Sequence, residues 1–294
     1  MARIYDGPES AIWEVHTNQK LDLGTALEFD DGRLFRYALI GGTSTAAGSL
    51  YQSVAALAGH TNIAVDVARA VGAQAVSATL NTTAAAVDIY SEGFVHINDA
   101  TGEGYSYKIK RAYSVGDAHA SATSTGVLTV NLKQGVTVQI ALVASTSEVA
   151  FTRNPYHSVI IHPSPPTAGL AGVAPGIITN AKYGWLQRKG ICAVLGDLTP
   201  YVGNELMASR AVNGAVEGWK ALITTGATSA SDETAFTKAT DSAGSETTVA
   251  LGEIAISTVA DITGGIANRT QVKVGVCIKA NADTEYILAD LQLE

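Results

Sequence analysis

Cysteine is nearly absent from this chain. Cys192 and Cys277 are the only two in 294 residues; they form no Cys-x-x-Cys pair, and no histidine is spaced to complete a four-ligand zinc set. Disulfide-stapled mini-folds and zinc modules are thereby excluded, and both thiols are expected to be free, buried and reduced. Charge is scarce as well, at 16% of residues against about 25% in ordinary soluble chains. Nineteen basic residues face 27 acidic ones, a formal net charge of −8. Without a basic surplus to displace counter-ions from phosphates, no nucleic-acid partner is expected. Long apolar runs are also missing. No window approaches the roughly 18 to 20 apolar residues of a membrane span, and the opening Met1-Ala2-Arg3-Ile4-Tyr5-Asp6 has no apolar signal core. No membrane association is expected, and synthesis in a reducing cytoplasm is; the sequons at Asn81 and Asn268 then carry no weight. Aromatic residues make up only 6% of a chain that is 47% hydrophobic. Much of the difference is alanine, so each core position buries little area and the thin core is expected to lean on partner subunits.

What is present is short period-two alternation broken by Gly, Asn, Asp and Ser, the pattern of half-buried strands joined by tight turns. Residues 94–98 and 105–110 alternate on either side of Asp99-Ala100-Thr101-Gly102-Glu103-Gly104, which predicts a hairpin. Residues 127–132 and 136–143 predict a second hairpin around Lys133-Gln134-Gly135. Further strands are expected at 34–39, 149–151, 159–161, 183–187, 191–195, 249–256, 272–277 and 286–293. Asp30-Asp31-Gly32 reads as the turn before the first of these. One short helix is a candidate at 62–70, where Asn62 could cap and Ile63, Val67 and Ala70 fall at helical spacing, although the β-branched Val65, Val67 and Val71 argue against it. The fold class is therefore all-β, with two sandwich- or barrel-like modules and at most one or two short helices. Residues 1–32 read as an N-terminal arm, 33–162 as a first β module and 163–294 as a second, divided at the stiff His162-Pro163-Ser164-Pro165-Pro166 connector. Residues 224–248, rich in Thr, Ser, Ala and Gly, read as a long exposed loop. No repeat of 20 to 50 residues is found.

Residue patterns that carry chemistry are few. Histidines 16, 60, 96, 119, 157 and 162 form no metal-ligand spacing and are expected to be structural or superficial. No Gly-x-Ser-x-Gly elbow exists, since Gly42-Thr43-Ser44-Thr45-Ala46 lacks its closing glycine. Asp30, Asp31 and Asp197 are better explained by turns than by a glycosidase pair. Asp99 to Gly104 has oxygen ligands in a tight loop but lacks the twelve-residue calcium pattern and its terminal bidentate Glu. The Gly102-Glu103-Gly104 start of a dinucleotide fingerprint fails at Tyr107 and is followed by a strand. No catalytic residue, cofactor or metal is assigned. Trp185, between apolar neighbours in a strand, reads as a core anchor. Tyr5, Ile12, Trp13 and Val15 lie in the arm, where they either bury against another subunit or fold back on their own domain; each large apolar side chain left in water forgoes roughly 1.5 to 3 kcal/mol.

Several stretches resemble a known family. Asp30-Asp31-Gly32-Arg33-Leu34-Phe35-Arg36-Tyr37-Ala38, followed by Gly48-Ser49-Leu50-Tyr51-Gln52, is similar to the opening of capsid decoration (cement) proteins of tailed bacteriophages. Val95-His96-Ile97-Asn98-Asp99-Ala100-Thr101-Gly102-Glu103-Gly104-Tyr105 resembles a hairpin of such virion proteins. So do Asn154-Pro155-Tyr156-His157 with the proline-rich connector, Tyr183-Gly184-Trp185-Leu186-Gln187, and the closing runs Val274-Gly275-Val276-Cys277 and Glu285-Tyr286-Ile287-Leu288-Ala289-Asp290-Leu291. The resemblance covers residues 24–294 and transfers no active site. It implies a structural virion protein on the capsid surface that bridges neighbouring subunits of the major capsid protein, as a homo-oligomer, trimer or dimer. The competing reading is a receptor- or carbohydrate-binding β module of a phage tail or surface structure. A β-sandwich hydrolase is a third, for which no convergent residues are found.

Overall fold

Alternation in the sequence becomes strands at most of the expected places among the described residues. The structure, a computed structural model, describes residues 4–5, 7–218 and 273–294. The expected loop at 224–248 and strand at 249–256 lie outside the described residues. The chain opens with β1 (Ile4–Tyr5), a 3-10 turn (Glu9–Trp13), β2 (Ala26–Glu28), β3 (Leu34–Leu39) and β4 (Leu50–Gln52). It continues with β5 (Ile63–Ala64), β6 (Ala75–Thr79), β7 (Phe94–Asp99), β8 (Ser106–Lys108), β9 (Val127–Asn131) and β10 (Glu148–Thr152). Then follow β11 (Ile160–Ile161), β12 (Leu170–Val173), β13 (Tyr183–Leu195), β14 (Glu205–Ala208), β15 (Val216–Gly218), β16 (Lys273–Lys279) and β17 (Tyr286–Gln292). The protein is all-β, and the 3-10 turn is the one helical element among the described residues.

The largest sheet runs β1-β2-β3-β13-β17-β16-β14-β15, with β12 joining β13 to β4 and β4 pairing β11. Its spine is β13, a single 13-residue strand where two were expected. Its first half pairs with β3 and its second half with β17, and the hand-over occurs at a bulge between Gln187 and Lys189. Gly190 sits there at φ +83°, a conformation that side chains with a Cβ rarely adopt. The Gln187 amide donates to the Lys189 and Ile191 carbonyls across the bulge, satisfying a buried polar side chain. Period-two geometry sorts the first half onto two faces. Trp185 packs with Phe35, Tyr37, Leu27 and Ile12 in one cluster, whereas Leu186 packs with Ala38, Ile40, Tyr51 and Ala171 in another. Trp185 is buried, its ring edge-on to Tyr37 at 5.2 Å between centroids, so it is the core anchor its neighbours predicted.

Between β4 and β11 the chain leaves this sheet and returns to the paired position, since Ile160 is registered with Gln52. The excursion builds a four-stranded sheet, β5-β10-β7-β8, and the pair β6-β9. Its apolar cluster runs from Ile63 to Phe151 and includes Val95, Ile97, Ile109, Leu128 and Val130. Three expectations are corrected here. The 162/163 boundary runs through the large sheet, because β11 and β12 on either side of the proline-rich connector both pair with β4; the division that the cores follow is an insertion within 33–162. Residues 62–70 are not helical: Asn62 has φ +57°, Ile63 and Ala64 form β5, and Val65 and Arg69 bridge to Ala78 and Leu142. Residues 127–131 pair with β6 rather than with 136–143, so the turn at Gly135 does not close a hairpin. The β7-β8 hairpin forms as predicted.

Candidate functional site

The described residues of the arm are tied down at several points. Ile4 and Tyr5 pair with β2 in parallel; the Tyr5 side chain lies outside the described residues. Ala11 and Ile12 are buried, Ile12 at 5% exposure, against Leu27, Phe35, Tyr37 and Trp185. His16 exchanges backbone hydrogen bonds with Tyr183, and its Nδ1 lies 3.0 Å from the Tyr37 hydroxyl. Ile12 is therefore a core residue of its own chain and is withdrawn from the candidates for partner contact. Trp13 and Val15 remain outside, 60% and 41% exposed, with the Trp13 ring beside Gly176 and the exposed Ile177 next in sequence.

The inserted module carries a second feature that no single stretch of sequence announces. In Tyr107-Lys108-Ile109-Lys110 the apolar positions turn into the core, which places Lys108 and Lys110 together on the outer face. In Asn131-Leu132-Lys133, Leu132 does the same and Lys133 faces outward. The two segments are bonded to each other, Lys110 N–H to the Asn131 carbonyl and Lys133 N–H to the Lys108 carbonyl, so three lysines from two distant runs share one surface. They line a cleft of about 590 Å³ with Arg36, Arg111 and Tyr113. An adjoining cleft of about 500 Å³ shares Lys110 and Lys133 and adds Arg69.

Not every cation here is available. Arg36 is held by both carboxylate oxygens of Glu294. Arg111 donates to Asp22 Oδ1 at 2.8 Å and to the Gln19 carbonyl at 2.9 Å, and its Nε lies 3.5 Å from Glu92. Lys110 has Asp117 at 3.7 Å. By contrast, Arg69, Lys108 and Lys133 have no carboxylate within 4.0 Å among the described residues. The Lys108 ammonium instead lies 4.3 Å over the Phe94 ring, and burial lowers its affinity for a proton. Tyr113 is 75% exposed, with the Arg111 guanidinium 4.9 Å from its ring centre. Asp22 and Glu92 also line the cleft, but a negative charge placed beside Lys108 and Lys133 would meet two ammonium groups that make no ion pair among the described residues, in a chain whose net charge has the opposite sign.

The acidic floor of the cleft is structural. Glu92 is buried and accepts from the Gln19 amide at 2.6 Å and from the Leu23 N–H at 2.5 Å, while burial raises its proton affinity. It clamps the arm to the inserted module, and Asn154 adds bonds to the Leu23 and Glu92 carbonyls. The buried histidines are engaged in structural contacts. The buried His60 meets the Tyr90 hydroxyl and the Thr83 carbonyl, and His119 accepts from the Tyr90 N–H. Among the described residues no group of three His, Cys, Asp or Glu side chains could hold a metal ion. Asp31 is absorbed in its turn with Arg33, and Asp197 accepts from the Ser209 hydroxyl. Among the described residues no helix is long and apolar enough to cross a membrane. Comparison with protein-family models, with curated proteins and with solved structures returns no match.

Proposed function

We propose that this chain is a structural virion protein that binds the outer surface of a tailed-phage capsid and stabilises it by bridging neighbouring major capsid protein subunits, as a homo-oligomer. The observation that carries this reading is the exposure of Trp13 and Val15 on an arm that Ala11 and Ile12 anchor in the core, with the Trp13 ring beside Gly176 and the exposed Ile177 next in sequence. An anchored aromatic left in water is pre-organised to bury against a partner at little entropic cost. The all-β scaffold supports the reading, since rigid sheets present contact surface without needing reactive groups. Binding only to the assembled shell would stabilise that state by mass action.

Co-sedimentation with capsids assembled without the protein, followed by heating to rupture, tests this. The wild type should bind stoichiometrically and raise the rupture temperature. Trp13→Ala should fold normally and bind at least about tenfold more weakly, as loss of an interface anchor does. Absence of binding at micromolar concentration would refute the capsid reading. The second reading, a receptor- or carbohydrate-binding β module of a tail or surface structure, is favoured by the cationic cleft and its exposed Tyr113 ring.

A further inference from the structure

We infer that the cleft between the Lys108–Lys110 and Asn131–Lys133 segments is a binding site for an acidic saccharide, one whose sugar rings carry carboxylates. This rests on the second reading above and names its ligand class. Lys108 and Lys133 supply positive charge with no carboxylate within 4.0 Å among the described residues, and Arg69 extends it into the adjoining cleft. Tyr113 supplies a largely exposed aromatic face at the cleft wall, the surface on which the apolar face of a sugar ring rests. Gln134, which borders both clefts, carries an amide suited to hydroxyl groups. The volume, about 590 Å³, falls in the range of small-ligand clefts.

Other polyanions fit less well. A single-stranded nucleic acid needs a row of stacking rings and a basic surplus along its backbone. Here there is one exposed ring in the cleft and a net charge of −8. An acidic peptide is recognised by a cluster of free arginines. Here the two arginines of the larger cleft are already held by carboxylates, Arg36 by Glu294 and Arg111 by Asp22.

The test is titration calorimetry of the full chain at low salt with trigalacturonate, and with maltotriose, hexaglutamate and an oligothymidylate as comparators. Trigalacturonate should bind and weaken with added salt. Lys133→Glu should weaken it at least about tenfold, and Tyr113→Ala by about threefold to tenfold, which are the sizes expected for a charge pair and a ring contact. Both side chains are exposed, so neither variant is expected to disturb folding, and thermal melts check this. Equal binding of maltotriose, tighter binding of hexaglutamate or oligothymidylate, or indifference to Lys133→Glu would each overturn the inference, as would no binding of trigalacturonate at millimolar concentration. The capsid assay separates the two readings: Lys133→Glu should leave co-sedimentation unchanged, and Trp13→Ala should leave saccharide binding unchanged.

Discussion

His157 is held neutral by its surroundings. Burial first, and then the positive charge of Arg153, pushes its imidazole down to about 4. A histidine depressed from its ordinary 6.5 contributes stability that is complete above pH 6.5 and is lost as pH falls towards 4. Protonating it in the folded state costs at most about 3 kcal/mol more than in the unfolded chain. Urea unfolding at pH 7 and pH 4.5 should therefore differ, and His157→Gln should narrow the difference. Glu92 works in the opposite sense: its raised pKa means that its contribution is complete at low pH and is lost as pH rises through the folded value. The cysteines offer a second test at this scale. Ala289 is registered with Cys192 on one side and Cys277 on the other, so their Cα atoms lie two strand spacings apart, roughly 9.5 Å. That exceeds the ~7 Å limit for a disulfide. Burial also pushes the Cys192 thiol up to about 12 and raises Cys277. Neither thiol should react with Ellman's reagent in the native state, and both should react once urea unfolds the sheet; rapid native labelling would contradict this packing.

Among the elements, the arm and β13 bear the most. Residues 1–20 include Ala11 and Ile12, which close one face of the large sheet, and Gln19, which bonds Glu92. Deleting them should lower stability by several kcal/mol rather than leave the fold intact, and Ile12→Ala alone should cost about 2 to 5 kcal/mol, read from chemical denaturation. Gly190→Ala should destabilise measurably, because a Cβ there would lie 3.0 Å from the Arg33 side chain at a backbone angle strained for alanine. Legibility from sequence followed the range of each interaction. The β7-β8 hairpin was legible because both strands and their turn are adjacent. The partner of β9 was not, because β6 lies some fifty residues earlier and local alternation carries no record of it. The lysine cleft was hidden for the same reason: Lys108 and Lys110 show period-two spacing, but Lys133 joins them only through tertiary pairing. Trp13 and Ile12 are neighbours of opposite fate, and composition alone could not say which of them turned inward.

At the scale of the molecule, two sets of strands have cores of their own. The inserted module buries a complete apolar cluster without strands from the large sheet. A fragment spanning residues 53–159 should therefore fold and unfold cooperatively by circular dichroism, while losing the clamp that Glu92 makes to Gln19 and Leu23. A fragment with no cooperative transition would show that the module depends on the large sheet. The large sheet is built differently, with β3 waiting for β13 and β13 for β17.

That wiring sets a timetable during translation. The inserted module has all its strands once residue 152 has emerged, whereas the sheet around it spans residues 4 to 292 and cannot close until β17 is made. A ribosome stalled between these points would display one finished module on an unfinished host. In that interval, half-made strands such as β3 expose edges with no partner, and nascent chains are most open to pairing with one another.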